Sequence, residues 1–207
     1  MSKFATLIAA LAAAVVSSPL AAQSLTIVEV NAPAVNCVFQ PSCVITVSDT
    51  TGTIGLPFIG TPGTAWLQSR IYPSAAGTPA AGKTGYVYRV SLTQASGTAD
   101  CLLGLVLNFG PVAKLPYKGP GQNAEVFVIT TGGLGTIGLK SAEKTGDVID
   151  FAFGKPLCLD GPPDIKNTTF FFGLAADKAP AAKPIDATIY AIGSPPFYSV
   201  QARVPEH

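Results

Sequence analysis

A two-residue rhythm, broken at short intervals by turn chemistry, constrains this chain more than any other feature. Tyr86, Tyr88, Val90 and Leu92 form one face of a run whose other face is Val87, Arg89, Ser91 and Thr93, the alternation of a half-buried strand. Comparable runs at 25–30, 43–48, 65–72, 101–109, 124–130, 147–153, 168–175, 185–192 and 197–204 bring the candidate strands to ten. Between them lie Gly60-Thr61-Pro62-Gly63, Gly119-Pro120-Gly121, Gly132-Gly133, Gly161-Pro162-Pro163 and Ser194-Pro195-Pro196. Glycine there supplies positive φ, and proline presets a bend and withholds a ladder donor. Short strands so punctuated predict an all-β fold, an antiparallel two-sheet β-sandwich of about ten strands. The alanine-rich stretch 175–182 is the one helical candidate, and Pro180 and Pro184 limit it to a turn or two. Gly-Thr-Ile-Gly-Leu occurs at 52–56 and again at 135–139, which reads as shared turn chemistry and not as a structural repeat.

The first residues have a different grammar. Lys3 precedes an apolar run over 4–16, then Ser17-Ser18-Pro19 and the small pair Ala21-Ala22, the order of a cleavable signal peptide. The run is shorter than the ~18 residues a spanning helix needs. A leader over 1–22 is expected, cut after Ala22, followed by a single domain over 23–207. The first cysteine is Cys37, so no lipid-anchor acceptor stands near the cut. The 185 residues left after removing 22 of 207 carry 12 basic and 12 acidic side chains. That balance gives no electrostatic reason to expect nucleic acid or an anionic membrane as partner. A secreted or periplasmic protein with no membrane span after leader removal is the expectation.

Cys37, Cys43, Cys101 and Cys158 in an exported chain predict two disulfides. Pairing Cys37 with Cys43 closes a short loop, and pairing Cys101 with Cys158 joins two distant strands. Zinc is the poorer alternative, because paired Cys-x2-Cys spacing is missing and the only histidine is His207. A membrane β-barrel is the competing architecture. The 18 prolines and the cysteine staples oppose it, since proline in a lipid-facing ladder leaves backbone groups unsatisfied.

Chemistry is sparse. With His207 the lone imidazole, a Ser-His-Asp triad, a Cys-His pair and a histidine-held metal have no basis. Ser141-Ala142-Glu143-Lys144 and Lys83-Thr84-Gly85 imitate serine acyltransferase motifs, but in reversed order and with Ser141 expected in a polar turn. Two carboxylates about 5 to 10 Å apart would suffice for glycoside hydrolysis. Asp147 and Asp150 are three apart and share a face only if their strand starts after Asp147; Glu29 with Glu125 is a second pair that nothing in the sequence favours. The loop Asp160-Gly161-Pro162-Pro163-Asp164 lacks the dense acidic ladder of a calcium loop and reads as a proline-stiffened turn. No cofactor and no catalytic residue is expected.

The run at 65–72 is the most suggestive. Trp66, Gln68, Arg70 and Tyr72 share one face, and Ala65, Leu67, Ser69 and Ile71 the other. If the second set packs the core, the first presents two aromatics, an amide and a guanidinium in a row, suited to stacking sugar rings or anchoring a protein. The competing reading makes the only tryptophan a core residue. Arg89 extends the strip if the two strands pair. Phe170-Phe171-Phe172 makes both faces of another strand apolar, which predicts cover on both sides. The functional expectation is therefore a non-enzymatic binding or structural protein directed at a glycan, a surface or a protein partner. A two-carboxylate hydrolase and an outer-membrane or matrix structural protein are the alternatives.

Overall fold

The computed structural model describes residues 21–57, 59–61, 63–177, 179–181, 184–192 and 197–206. Residues 1–20 of the expected leader, His207 and the Ser194-Pro195-Pro196 turn lie outside the described residues.

Twelve strands and one helix follow in order: β1 (Gln23–Ser24), β2 (Ile27–Asn31), α1 (Ala32–Phe39), β3 (Ser48–Thr53), β4 (Trp66–Pro73), β5 (Thr84–Ser91), β6 (Gly97–Asn108), β7 (Val126–Thr131), β8 (Leu139–Thr145), β9 (Val148–Gly161), β10 (Phe171–Ala176), β11 (Ile185–Ile192) and β12 (Phe197–Ala202). Sheet I has the order β1-β8-β9-β6-β11-β12 and sheet II the order β2-β7-β10-β5-β4-β3. Strand alternation sends Leu67, Tyr86, Tyr88, Val90, Phe172 and Leu174 of sheet II against Leu105, Leu107, Ile149, Phe151 and Ile189 of sheet I, all in one buried cluster. This is the packing of a β-sandwich.

Both open edges of the sandwich are stitched. At one, the chain leaves β1 in sheet I and enters β2 in sheet II, with the Leu25 N–H on the Ala142 carbonyl at 2.8 Å. At the other, the chain beyond β12 is held by sheet II: the Tyr88 hydroxyl donates to the Arg203 carbonyl at 2.7 Å, and the Arg203 N–H donates to Ser69 Oγ at 3.2 Å.

Several expectations change. The described residues form twelve strands, and the pairing is not wholly antiparallel, because β2 runs parallel to β7. Those two strands lie far apart in the chain, so no tight hairpin forces them antiparallel. The stretch 43–48 is not a strand. Cys43 takes a φ of 57° to close its disulfide loop, and the ladder begins only at Ser48. The Ser141–Lys144 segment is not a turn but lies within β8. Both disulfides form as expected, Cys37 with Cys43 and Cys101 with Cys158. The second ties β6 to β9 where their register shifts between Ala99 and Leu102.

Helix α1 is the largest surprise and shapes everything on the outer face of sheet II. Asn31 caps it, its side chain accepting the Ala34 N–H at 2.8 Å, and a proline occupies the first turn. Val35, Val38 and Phe39 press onto the sheet together with Tyr72, Val87, Phe127 and Ala175, forming a second buried cluster. Phe39 meets Tyr72 edge-on at 5.6 Å. Gly85 provides the landing point, since a Cβ there would stand 2.8 Å from Phe39 Cε1. The roof extends over Tyr72 of β4 and Gly85 and Val87 of β5, while Trp66, Gln68 and Arg70 of β4, Arg89 of β5 and the neighbouring β3 lie beyond it on the open part of the face.

Candidate functional site

The open part of the face is set by register. β4 pairs with β3 and β5, placing Asp49 opposite Arg70, Thr51 opposite Gln68, Thr53 opposite Trp66 and Arg89 opposite Gln68. Because Leu67, Ser69 and Ile71 turn inward and are buried, Trp66, Gln68 and Arg70 turn outward. The single tryptophan is therefore a half-buried surface residue and not part of the sandwich core. Arg89 joins it through the β4–β5 pairing. Tyr72 does not belong to the exposed strip, being 2% exposed beneath Phe39. The sequence carries no sign of that roof, because α1 comes from another part of the chain.

Two guanidinium groups and two rings stack side by side. Arg89 Cζ lies 4.9 Å from the Trp66 ring and 4.8 Å from the Phe171 ring, and Arg70 Cζ lies 4.6 Å from the Phe171 ring. Phe171 comes from β10 and is buried, so it serves as the platform. The arginines differ in their partners. Arg70 forms a two-pronged pair with Asp49, Nε to Oδ1 and Nη2 to Oδ2, both at 2.8 Å. Gln68 Nε2 also donates to Asp49 Oδ2 at 2.8 Å. The Arg70 hydrogen bonds hold the Asp49 carboxyl below its ordinary range against the opposing effect of burial. Arg89 has no hydrogen bond or ion pair among the described residues, and its Nε and Gln68 Oε1 are buried without partners. Burial first, then the neighbouring Arg70 charge, pull the Arg89 guanidinium below its ordinary value.

Beside this row, α1 and the flanking loops leave a hollow of about 420 Å³. Asn36, Arg70, Tyr72 and Phe171 line it, with the exposed apolar side chains of Val47 and Leu134 also on its wall. A flat aromatic and guanidinium row beside a shallow depression can stack a ring, donate to an oxygen acceptor and pack apolar C–H surface.

Other nominated groups are not brought together. Ser141 and Lys144 sit on sheet I and Lys83-Thr84-Gly85 at the start of β5 in sheet II. Glu125 is spent on the Thr26 N–H and Lys114, while Glu29 is exposed on β2. Asp164 accepts the Lys166 N–H at 2.9 Å, bracing its turn. β9 starts after Asp147, yet the carboxylate beside Asp150 is Glu143, directly across on β8. Burial raises the Asp150 carboxyl, with Glu143 adding to it and Tyr190 opposing it. Sequence reasoning could not find this pair, nor Asp49 or Phe171 as members of the strip, because each is set by pairing between strands distant in the chain.

Fold and site together define a disulfide-stapled, two-sheet β-sandwich whose outer face is roofed by a helix at one end and carries a cationic and aromatic row at the other. The chain matches no protein-family model, no curated protein and no solved structure.

Proposed function

We propose that this is an exported, non-enzymatic binding protein that holds a glycan on the open part of the outer face of sheet II. The observation that carries this reading is the row of Trp66, Arg89 and Arg70, half-exposed on the sheet, with both guanidinium groups stacked on the buried Phe171 ring and Arg89 also stacked on Trp66. Sugar rings stack on such faces, and hydroxyls find the side chains of Gln68, Thr51 and Thr53 along the same rows. The leader-like order of the first residues and two disulfides support export to an oxidising compartment, secreted or periplasmic. A glycan array probed with the oxidised protein and its Trp66→Ala variant tests the reading. Capture lost in the variant is expected; capture unchanged, or no capture by the native protein, refutes it.

A hydrolase is the second reading, because Glu143 and Asp150 face each other across β8 and β9 and the Asp150 carboxyl is raised. Asp150 is exposed on sheet I, whereas glycoside chemistry prefers an enclosed, water-excluding site. Measured turnover of a glycan, lost in Asp150→Asn, would reverse the order of the two readings.

A further inference from the structure

Resting on the binding reading above, we propose that the ligand is an acidic glycan, a uronic-acid-containing chain whose carboxylate is received by Arg89. Counting charge in the row gives two guanidinium groups and one carboxylate. Both oxygens of that carboxylate, Asp49, are committed: Oδ1 to Arg70 Nε, and Oδ2 to Arg70 Nη2 and Gln68 Nε2. Arg89 is left with rings on its faces and no acceptor among the described residues. Desolvating a cation without an opposing charge is costly. Two rings offset part of that cost through their quadrupoles, and an incoming carboxylate would offset more.

The second unmet group sharpens the choice of ligand. Gln68 Oε1, on the residue paired with Arg89, is a buried acceptor with no donor. A group bearing a carboxylate next to a hydroxyl supplies an acceptor for the guanidinium and a donor for the amide, and a uronic acid has both. An acidic peptide would bring the carboxylate, but its backbone N–H and C=O groups would lie over the face of a sheet whose own ladder is already paired across β3, β4 and β5. A sugar chain needs only side-chain partners. Trp66 beside Arg89 gives its ring a stacking surface, and the adjoining hollow with Asn36 leaves room for the next residue of the chain.

Calorimetric titration of the oxidised protein with polygalacturonate, and with the same polymer after its carboxyl groups are reduced to alcohols, tests this directly. The acid form should bind at least about tenfold more tightly, the scale of one charge-assisted hydrogen bond. Arg89→Gln should make the two polymers bind alike, and Arg89→Lys should retain most of the preference. Equal binding of both polymers by the native protein, or a preference undiminished in Arg89→Gln, overturns the assignment. So does failure of both polymers to bind. If both bind equally and Trp66→Ala abolishes both, the acidic ligand is refuted while the glycan-binding face stands. The comparison of polymers needs only the native protein, so it holds even if an Arg89 variant fails to fold.

Discussion

The roof over sheet II rests on one contact that a double-mutant cycle can isolate. Phe39 is wholly buried, with ring centroids 5.6 Å from Tyr72, 6.3 Å from Tyr117 and 6.4 Å from Phe127. Phe39→Ala should cost about 3–5 kcal/mol, the range for emptying a buried aromatic site. Gly85→Ala attacks the same contact from below: its Cβ would lie 2.8 Å from Phe39 Cε1, 2.9 Å from Cζ and 3.1 Å from Tyr72 Cβ. Overpacking of that kind costs about 1–3 kcal/mol, because a ring wedged between other rings has nowhere to retreat. In the Phe39→Ala background the ring is gone, and the added methyl enters space already vacated. Gly85→Ala should then cost under about 1 kcal/mol, leaving a coupling of about 1–2 kcal/mol between the two sites. Urea unfolding of the oxidised proteins measures all four stabilities, with unchanged slopes confirming that midpoint shifts report stability. Additivity within about 0.5 kcal/mol would refute the placement of Phe39 on Gly85, and with it the helical roof that bounds the open part of the face.

Three further outcomes follow from the same packing. Replacing Cys101 and Cys158 by alanine should cost about 4 kcal/mol and replacing Cys37 and Cys43 about 2 kcal/mol, since the closed loops span 57 and 6 residues; equal losses in denaturant melts would contradict the loop-size argument. Thr169→Val removes the buried hydroxyl that accepts the Val90 N–H at 3.0 Å, so urea unfolding should show a loss of about 1–3 kcal/mol, and a neutral result would show that the N–H finds another partner. Because the Asp49 carboxyl is held below its ordinary 3.8, its contribution to stability is complete above that pH and fades as pH falls through the lowered value. The stability gap between the native protein and Asp49→Asn should therefore narrow in acid, and a gap constant from neutral pH to below 3.8 would contradict the Arg70 pairing.

Local pattern carried the sandwich and long-range pairing carried what was missed. Alternation in 65–72 correctly separates Leu67, Ser69 and Ile71 from Trp66, Gln68 and Arg70, because side-chain direction in a strand is a local property. Phe171 and Phe172 do go to opposite covered faces, in different buried clusters, as three consecutive phenylalanines require. The even number of cysteines pointed to two disulfides, but it allowed three pairings, and the preferred one, Cys37 with Cys43 and Cys101 with Cys158, is established only by the fold that brings β6 beside β9. The burial of Tyr72 was not legible, since its cover arrives with Phe39 from more than thirty residues away in the chain. Helix α1 had a readable start in Asn31-Ala32-Pro33, but at eight residues it is too short to show a helical period against the surrounding alternation. The partners of the two arginines depend on strand order: Asp49 reaches Arg70 because β3 is the neighbour of β4, and Phe171 reaches both because β10 is the neighbour of β5.

The chain contains one tryptophan, and it stands in the candidate face, so intrinsic fluorescence reports on that face alone among indole signals. Titrating polygalacturonate into the oxidised protein should change Trp66 emission saturably, with the same midpoint as calorimetry. Calorimetric binding accompanied by unchanged Trp66 emission would place the ligand elsewhere on the molecule and contradict the assignment of this face.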